Sequence, residues 1–555
     1  MTPMPPRSIF LRTAALLCLA AAILPAHALD CNVRTTPLSP ADIAMSHGDY
    51  AKAEALYADE IQAASQSGNQ PGPDADRLHA ALIRAQLRQS KLADAEKDAV
   101  AWSTAQPNNS WALVALAELQ WREGRPNDTI RTIDKIRALD YCNPQAHADS
   151  AMLYRFSGLY ASADRELTLA RKLDPIDPQI ELAWLRLQPP ATKLTEITSL
   201  LNNAASLSAN QTNTLAREKQ RLFDPPAAGC HLATSTTSTS IPFHGIQDGP
   251  NAPTYWGLEV YFNGKQRRLE IDTGASGLIL TKSAATALHL EPERTIKMGG
   301  IGDDGAVDSF VARVKSIEIG GLEFQNCDVQ VLGTTPKGMG AQDGLIGGDV
   351  FSHFLLTLDF PGRTLKLDPL PQRPGDTAAA NTPSLDTGVS DTFEQPQDAY
   401  RDPSMKDWVR VFRSGHNLIV PVGLNSAAGP WRLFILDTGA STDLISPDAA
   451  REIAKVDNGS MRGIMGISGE VKKTWTTGPM KLYFANLVAP NLGMIAIDTS
   501  NLGRSSGTEI SGLIGAPTLH QLTFSIDYRD NLVHFTYDPK RLNRCVAGIK
   551  MADCY

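Results

Sequence analysis

Two aspartates stand in matching surroundings and could form an acid–base pair. Asp272 opens the sequence Asp-Thr-Gly-Ala-Ser after the strand-like residues 269–271, and Asp437 opens the same five residues after 434–436. Each aspartate is therefore expected on a tight turn at the end of a strand. Two carboxylates held close together cannot both ionise cheaply, so such a pair can share one proton and work as acid and base. These two aspartates are the candidate catalytic residues.

Further features follow each tripeptide in the same order. Glycine-rich segments come first, at Gly300-Ile301-Gly302 and at Gly466-Ile467-Ser468, and strand-like residues flank both, which predicts hairpin tips. A Gly-Leu-Ile-Gly motif follows at 344–347 and at 512–515, and each motif precedes an apolar strand. Repetition in one order at nearly one spacing predicts two similar lobes.

The glycine of each tripeptide contributes to the turn in its own way. Gly274 and Gly439 lack a Cβ, so the backbone can take positions that a side chain would obstruct. Their amide N–H groups can also reach the carboxylates. Both glycines are therefore predicted to support the turns.

This arrangement resembles the two-lobed aspartic peptidases, and most closely the bacterial retropepsin-like group. The resemblance covers residues 254–538 and rests on the two Asp-Thr-Gly-Ala sequences, the glycine-rich segments and the Gly-Leu-Ile-Gly motifs. It implies an all-β bilobal acid-protease fold in which Asp272 and Asp437 activate a water that attacks a peptide bond. The substrate would be a protein or peptide, no cofactor would be needed, and one chain would supply the whole active site.

The resemblance also implies roles for the surrounding residues. Thr273 and Thr438 would bond to the opposite lobe and lock the two turns together, while Gly347 and Gly515 would pack beneath the turns. The glycine-rich segments would be flaps that close over an extended peptide. The candidate flap and substrate-binding residues are Gly300, Ile301, Gly302, Gly466, Ile467 and Ser468. An ordinary tight hairpin is the alternative for each segment.

Several residues depart from the family pattern or need a separate interpretation. Glu270 interrupts the apolar residues before the first aspartate. Ala275 and Ala440 replace the Ser or Thr of pepsin-type enzymes, and loss of that hydroxyl donor should raise the pKa of the pair and move activity towards neutral pH. A third Asp-Thr-Gly at 386–388 lacks the later motifs and is interpreted as accidental. The acids assigned to surface or turn positions are Asp303, Asp304, Asp343 and Asp443.

Residues 39–220 are predicted to form helical repeats. Two turn glycines, Gly124 and Gly158, and a series of prolines recur at intervals of about 34 residues, the period of stacked helix–turn–helix units. The prolines expected to close these units are Pro73, Pro107, Pro144 and Pro178. The stretch resembles tetratricopeptide repeats, which implies a groove for a protein partner or substrate. The alternative is a stabilising appendage whose aromatic side chains form core.

Composition and targeting signals limit the remaining possibilities. The 555 residues are 42 % hydrophobic and 20 % charged, and the net charge of −8 argues against a nucleic-acid partner. Residues 1–28 combine a positive start, a short apolar run and an Ala-His-Ala cleavage site, which predicts a signal peptide and export to the periplasm or beyond the cell. No later run of about 18 apolar residues predicts a membrane span.

The cysteines fit an exported protein. One of the seven, Cys18, leaves with the signal peptide, and the remaining cysteines can form disulfides in an oxidising compartment. Their pairing stays open, with Cys545 and Cys554 as the most local option. No Cys and His spacing resembles a metal site, so no metal is assigned.

The predicted fold class is multidomain, with an all-α helical-repeat domain of tetratricopeptide-like type before the all-β bilobal acid-protease fold. The predicted segments are a signal peptide (1–28), helical repeats (39–220), a linker (221–253), lobe 1 (254–370), a connector (371–405), lobe 2 (406–540) and a tail (541–555).

Three functions follow from these patterns. The first is an exported aspartic endopeptidase whose repeats dock a partner or substrate. The second is a binding module that holds an extended peptide between the same lobes without cutting it. The third is a repeat scaffold with degenerate lobes.

Overall fold

The computed structural model describes part of the chain at atomic detail: residues 2–3, 31–66, 73–203, 206–223, 230–235, 237–246, 255–335, 342–376, 385, 397–459, 463–504 and 506–542. The predicted signal peptide lies outside these residues except for a backbone segment at Thr2–Pro3, and so do the third Asp-Thr-Gly, Cys545 and Cys554. Among the described residues, no helix is both long and apolar enough to cross a membrane.

The N-terminal part of the chain is helical. Asn109, Asn143 and Asp177 begin three of its helices by accepting hydrogen bonds from first-turn amides, which satisfies donors that the helix itself cannot. The helices are α1 (Pro40–His47), α2 (Tyr50–Gln66), α3 (Pro73–Arg88), α4 (Leu92–Ala105), α5 (Ser110–Arg122), α6 (Pro126–Leu139), α7 (Pro144–Phe156), α8 (Tyr160–Leu173), α9 (Pro178–Arg186), α10 (Pro190–Asn202) and α11 (Ala209–Phe223).

Three of the four periodic prolines do not close helical units, contrary to the expectation from sequence, whereas Pro107 lies in the turn after α4. Pro73, Pro144 and Pro178 instead begin helices α3, α7 and α9. Proline suits the first helical position, because its fixed φ matches the helix and its missing N–H would have no partner there. Gly124 and Gly158 have φ of +70° and +74° in the turns after α5 and α7, where the sequence placed turns.

The rest of the chain is dominated by strands. They are β1 (Thr2–Pro3), β2 (His231–Leu232), β3 (Thr239–Pro242), β4 (His244–Ile246), β5 (Tyr255–Phe262), β6 (Lys265–Asp272), β7 (Leu278–Leu280), β8 (Arg294–Met298), β9 (Val307–Ile319), β10 (Leu322–Leu332), β11 (Gly344–Gly347), β12 (Phe354–Asp359), β13 (Thr364–Pro369), β14 (Val409–Arg410), β15 (Phe412–Ser414), β16 (Asn417–Leu424), β17 (Trp431–Leu436), β18 (Leu444–Ile445), β19 (Val456–Asn458), β20 (Ile464–Gly466), β21 (Gly469–Val471), β22 (Thr474–Thr477), β23 (Met480–Phe484), β24 (Leu487–Asn491), β25 (Ile495–Ile497), β26 (Gly512–Ile514), β27 (Thr523–Asp527) and β28 (Leu532–Thr536). Short helices α12 (Lys282–Ala287), α13 (Pro447–Arg451), α14 (Ala516–Leu519) and α15 (Pro539–Leu542) interrupt them.

Each lobe has the same strand arrangement around its Asp-Thr-Gly. In lobe 1, β11 inserts between β6 and β7, parallel to the former and antiparallel to the latter. In lobe 2, β26 inserts in the same way between β17 and β18. The inserted strands carry the two Gly-Leu-Ile-Gly motifs. They fix the ends of β6 and β17, from which the two tripeptides project.

A third sheet joins the two lobes. Strands β12 and β13 follow the first Gly-Leu-Ile-Gly motif, and they continue through β27 to β28 from lobe 2. Strand β3 pairs with β13 at the other side, and β4 pairs with β5. The segment 221–253 is therefore not only a linker, as predicted, because part of it adds strands to two sheets. These strands are short and lie among polar residues, so the sequence pattern did not predict them.

The helical part packs directly against lobe 2. Phe156 of α7 stacks on Phe412 of β15, with ring centroids 4.8 Å apart. Thr508 donates its hydroxyl to the carbonyl of Trp121 at 2.5 Å, and the amide of Glu509 donates to the carbonyl of Arg122 at 3.1 Å. Helices α5 and α7 thus share one apolar core with the strands of lobe 2.

Two disulfides occur among the described residues. Cys31 pairs with Cys142, which ties the chain before α1 to the turn before α7. Cys230 pairs with Cys327 on β10, which ties the segment after the helices to lobe 1. Both pairings had been left open by the sequence.

Candidate active site

The two predicted aspartates meet between the lobes. Asp272 is the last residue of β6 and Asp437 follows β17, and their carboxyl groups share a hydrogen bond. The amide of Gly274 donates to Asp272 Oδ1 at 2.9 Å, and the amide of Gly439 donates to Asp437 Oδ1 at 3.0 Å. The two turns therefore hold their carboxyl groups in the same way, face to face.

The two threonines cross between the lobes. Thr273 donates its hydroxyl to the carbonyl of Leu436 at 2.8 Å, and Thr438 donates to the carbonyl of Ile271 at 2.8 Å. Each hydroxyl oxygen also accepts the amide N–H of the other threonine at 3.0 Å. Both threonines are buried. These four bonds fix one turn against the other, so the separation of the carboxyl groups does not depend on either lobe alone.

The tripeptide glycines are required by the closeness of the two carboxyl groups. A Cβ on Gly274 would lie 2.6 Å from the carboxyl carbon of Asp437, and a Cβ on Gly439 would lie 2.5 Å from that of Asp272. Real side chains do not approach so closely. Gly347 and Gly515 are packed in a similar way, because a Cβ there would collide with the backbone carbonyls of Ala275 and Thr442.

The aspartate pair is electrostatically asymmetric. Burial raises the pKa of Asp272, although the hydrogen bond from Asp437 and the amides of the turn oppose that rise. The pKa of Asp437 lies well above its usual value, because burial, the charge of Asp272 and the hydrogen bond to Asp272 all favour its protonated form. Both shifts favour a proton shared by the two carboxyl groups over two separate charges.

Two further aspartates anchor the turns, and their burial was not foreseen. Asp349 accepts the amide of Gly277 at 2.9 Å and the hydroxyl of Ser276 at 3.0 Å, and burial raises its pKa to about 6. Asp443 accepts the amide of Gly515 at 2.7 Å and is 3 % exposed. The sequence predicted a surface or turn position for Asp443, and the surface position is wrong because the side chain is buried. Asp349 follows the Gly-Leu-Ile-Gly motif of lobe 1, whereas Asp443 follows the tripeptide of lobe 2. The two acids therefore have no common sequence pattern that would predict them.

A histidine contacts the turn of the first Asp-Thr-Gly. His416 Nε2 lies 3.0 Å from the carbonyl oxygen of Gly274 and donates to it in the neutral ring, whose pKa burial lowers. The residue lies in the turn between β15 and β16 of lobe 2, so it supports the turn of lobe 1 across the interface. Sequence reasoning gave His416 no role, because nothing in the chain links it to a residue so distant in sequence.

Both glycine-rich segments are hairpin tips, and they contact each other. Strands β8 and β9 form the hairpin of lobe 1, and β20 and β21 form that of lobe 2. The amide of Gly300 donates to Ser468 Oγ at 3.0 Å, and the amide of Ser468 donates to the carbonyl of Ile301 at 3.0 Å. A Cβ on Gly302 or Gly466 would collide with the opposite tip. The tips of the two hairpins are thus hydrogen-bonded to each other.

Residues 258–350 match the family model described as aspartyl protease. Lobe 1 is thus similar to aspartyl proteases over these residues. Among solved structures, the aspartic proteinase from Irpex lacteus is similar with 11 % identity and a TM-score of 0.32, over 54 % of this chain and 98 % of that one. No curated protein matches this chain in sequence.

Each flap tip packs its isoleucine on the opposite lobe. Ile467 of the lobe 2 flap contacts an apolar cluster of lobe 1, and Ile301 of the lobe 1 flap contacts an apolar cluster that includes lobe 2. The lobe 1 cluster contains Ala275, Ile279, Met298, Leu332 and Leu345. The lobe 2 residues of the second cluster, which is also the core shared with α5 and α7, include Ile435, Leu444, Ile464, Val471 and Leu513, and Ala440 packs against them. Ala275 and Ala440, which follow the two tripeptides, connect these clusters to the carboxyl pair, and we call the clusters the lobe 1 wall and the lobe 2 wall.

Removal of the Ile467 side chain should loosen the closed flaps. We expect Ile467→Ala to destabilise the closed arrangement by about 1–2 kcal/mol, because most of a half-buried side chain leaves its apolar contacts. The amide of Ser468 should then exchange with solvent deuterium about ten times faster. Met465→Ala is the matched control, since Met465 lies on the same hairpin with 44 % exposure. Equal exchange in both variants would contradict the contact.

Proposed function

We propose that this chain is an aspartic-type endopeptidase that hydrolyses peptide bonds with a water held between Asp272 and Asp437. The observation that supports this most strongly is the pair itself: two half-buried carboxyl groups share a hydrogen bond, on turns that are bonded across the lobes. Such a pair stores one proton at neutral pH, which is the state that combined acid and base catalysis requires.

A shared proton lets one carboxyl group act as base and the other as acid, and we assign the two roles as follows. Asp272, the charged member, takes a proton from the water as its oxygen attacks the amide carbonyl carbon. Asp437, the protonated member, donates its proton to the carbonyl oxygen, so that negative charge does not accumulate there. The resulting gem-diol collapses when its C–N bond breaks: the nitrogen receives the proton now held by Asp272, and one hydroxyl group gives its proton to Asp437 as it becomes the new carbonyl. Each carboxyl group returns to its starting state after one cycle.

The flaps and walls suit an extended peptide. A peptide lying between the flap tips and the carboxyl pair can use its backbone to replace the hydrogen bonds that now join Gly300 to Ser468 and Ser468 to Ile301. Closure of the flaps over it would exclude water from the reacting bond. Ile301 and Ile467 would leave the positions that they now fill on the two walls.

The helical part has the arrangement of a structural support for lobe 2. Its helices α5 and α7 share a core with the lobe, and Gly124 and Gly158 place their turns against Glu509 and Asn531. These contacts favour the stabilising role among the two that the sequence left open. We propose that the helices are tetratricopeptide-like, and docking of a protein partner on them stays a prediction.

We also propose that the protein is exported, to the periplasm or beyond the cell. The predicted signal peptide is the main support. The two disulfides agree with it, because such bonds persist in oxidising compartments and are rare in the cytosol.

A digestion experiment distinguishes an enzyme from a peptide-binding module. The protein, without residues 1–28, is incubated with an unfolded protein substrate, and the products are identified by mass spectrometry. New peptides that are absent with Asp272→Asn support hydrolysis. An intact substrate that nevertheless binds to the protein, at every pH from about 3 to 8, would favour the binding module.

The pH profile of cleavage should have its maximum above about pH 5, since both carboxyl groups have a pKa above the reference value of about 3.9. Activity should rise with pH as the pair loses the first of its two protons, and fall as it loses the second. The absence of a side-chain hydroxyl at Ala275 and Ala440 acts in the same direction. Initial rates with a peptide substrate across the pH range test this. A maximum below about pH 3 would contradict it.

A further inference from the structure

Glu270 brings a third carboxyl group to the pair. It lies on β6 two residues before Asp272, and its neighbours Leu269 and Ile271 point into the core of the lobes. Because side chains alternate along a strand, Glu270 points to the opposite face. There it pairs in register with Leu345 of β11, which belongs to the lobe 1 wall. Glu270 is therefore part of the wall beside the reacting bond.

The equivalent position in lobe 2 is apolar. Ile435 lies two residues before Asp437, pairs in register with Leu513, and belongs to the lobe 2 wall. Phe434 and Leu436 on either side of it point into the core, as Leu269 and Ile271 do. The two walls thus have the same strand pairing but different side chains, because lobe 1 has Glu270 at the position where lobe 2 has Ile435.

Glu270 has few polar partners for so buried an acid. It is 4 % exposed and accepts a hydrogen bond from Gln342 Nε2 at 2.7 Å. Burial raises its pKa to about 9, and the charges of Asp272 and Asp437 add to that rise. The phenol of Tyr255 has a raised pKa, which is caused first by its own burial and second by the charge of the nearby Glu270. Glu270 is thus a neutral acid in the empty site near neutral pH.

We propose that Glu270 makes the lobe 1 wall select a lysine or arginine side chain directly beside the scissile bond. This assumes the peptidase function proposed above. A cationic group that replaces Ile467 on the wall would meet Glu270 under the flaps, and a charged carboxylate with a charged donor forms the stronger class of hydrogen bond. The lobe 2 wall, with Ile435, would accept an apolar side chain on the other side of the same bond.

Recognition of a cation would require Glu270 to lose its proton. The O–H bond of the carboxylic acid breaks, the proton leaves to solvent, and the carboxylate pairs with the ammonium or guanidinium group of the substrate. Binding of a basic peptide should therefore strengthen as pH rises towards 9, whereas binding of a neutral peptide should not. This difference separates recognition by Glu270 from a merely structural acid.

The test uses two peptides that differ only beside the cleaved bond, one with lysine and one with norleucine. Placement of the variable residue on each side of the bond in turn shows which side faces lobe 1. For the wild-type protein we expect the preference in kcat/KM for lysine over norleucine to grow as pH rises, to about tenfold or more where Glu270 is charged, as expected for a charged hydrogen-bonding pair. Glu270→Gln keeps the shape and should remove this preference mainly through KM, with norleucine cleavage retained.

Two further variants sharpen the result. Glu270→Ile copies Ile435 and should invert the preference towards norleucine. Glu318→Gln removes an exposed acid from the same lobe and should leave the preference unchanged. Cleavage of both peptides by wild-type protein without a lysine preference would overturn the role of Glu270 while leaving the peptidase intact. Failure to cleave any peptide would overturn the peptidase function itself.

Discussion

Asp437→Asn should lower kcat for peptide cleavage by about a thousandfold or more, the range that general acid–base catalysis contributes. Asparagine occupies nearly the same space but has no proton to give to the carbonyl oxygen. It also leaves Asp272 without the partner that shares its proton. The measurement is the initial rate of cleavage of one peptide by purified wild-type and variant protein at the optimum pH. Asp272→Asn should cause a loss of similar size, since it removes the base.

The control for this loss is Asp448→Asn in α13 of lobe 2. The side chain of Asp448 is 88 % exposed and pairs with Arg451 on the surface, so its replacement should leave kcat within about twofold. Circular dichroism of all three variants should match that of the wild type. Retention of more than about a tenth of the wild-type kcat by Asp437→Asn would be incompatible with its role as acid.

Thr273→Val should destabilise the protein by about 2–4 kcal/mol, because two buried groups lose their hydrogen bonds. The amide of Thr438 loses its acceptor, and the carbonyl of Leu436 loses its donor. The free energy of unfolding by chemical denaturation measures the change. Because the same bonds set the separation of the carboxyl groups, we also expect kcat to fall.

Thr273→Ser is the matched control, since it keeps the hydroxyl and removes only a methyl group. It should lose about 1 kcal/mol and keep most of the activity. If valine and serine variants were equally stable and active, the cross-lobe hydrogen bonds would not be what holds the two turns together.

The parts of the site that the sequence predicted are those encoded by short, repeated motifs. Asp272 and Asp437 with their glycines, and the two flap tips, each depend on a few adjacent residues in a turn. The conformation of such a turn depends mainly on these adjacent residues and little on the rest of the chain. The appearance of each pattern twice, in the same order, removed most of the ambiguity that a single Asp-Thr-Gly carries, as the extra copy at 386–388 illustrates.

The remaining features depend on contacts between distant parts of the chain. His416 reaches Gly274 only once the two lobes have joined. Asp349 bonds to the segment after the first tripeptide, whereas Asp443 lies after the second tripeptide and bonds to Gly515, so comparison of the two halves cannot find them. The packing of α5 and α7 on lobe 2 likewise uses side chains that look like ordinary core in an isolated helical repeat. Tertiary contact, rather than local pattern, determines each of these.

The central claim is that Asp272 and Asp437 together hold the attacking water. Its most direct test is a crystal structure, near the optimum pH, with a peptide mimic that carries a hydroxyl group in place of the scissile carbonyl. We expect that hydroxyl to lie within about 3 Å of both carboxyl groups, beneath the two flaps. A mimic bound elsewhere, or carboxyl groups too far apart to contact one hydroxyl, would contradict the proposed mechanism.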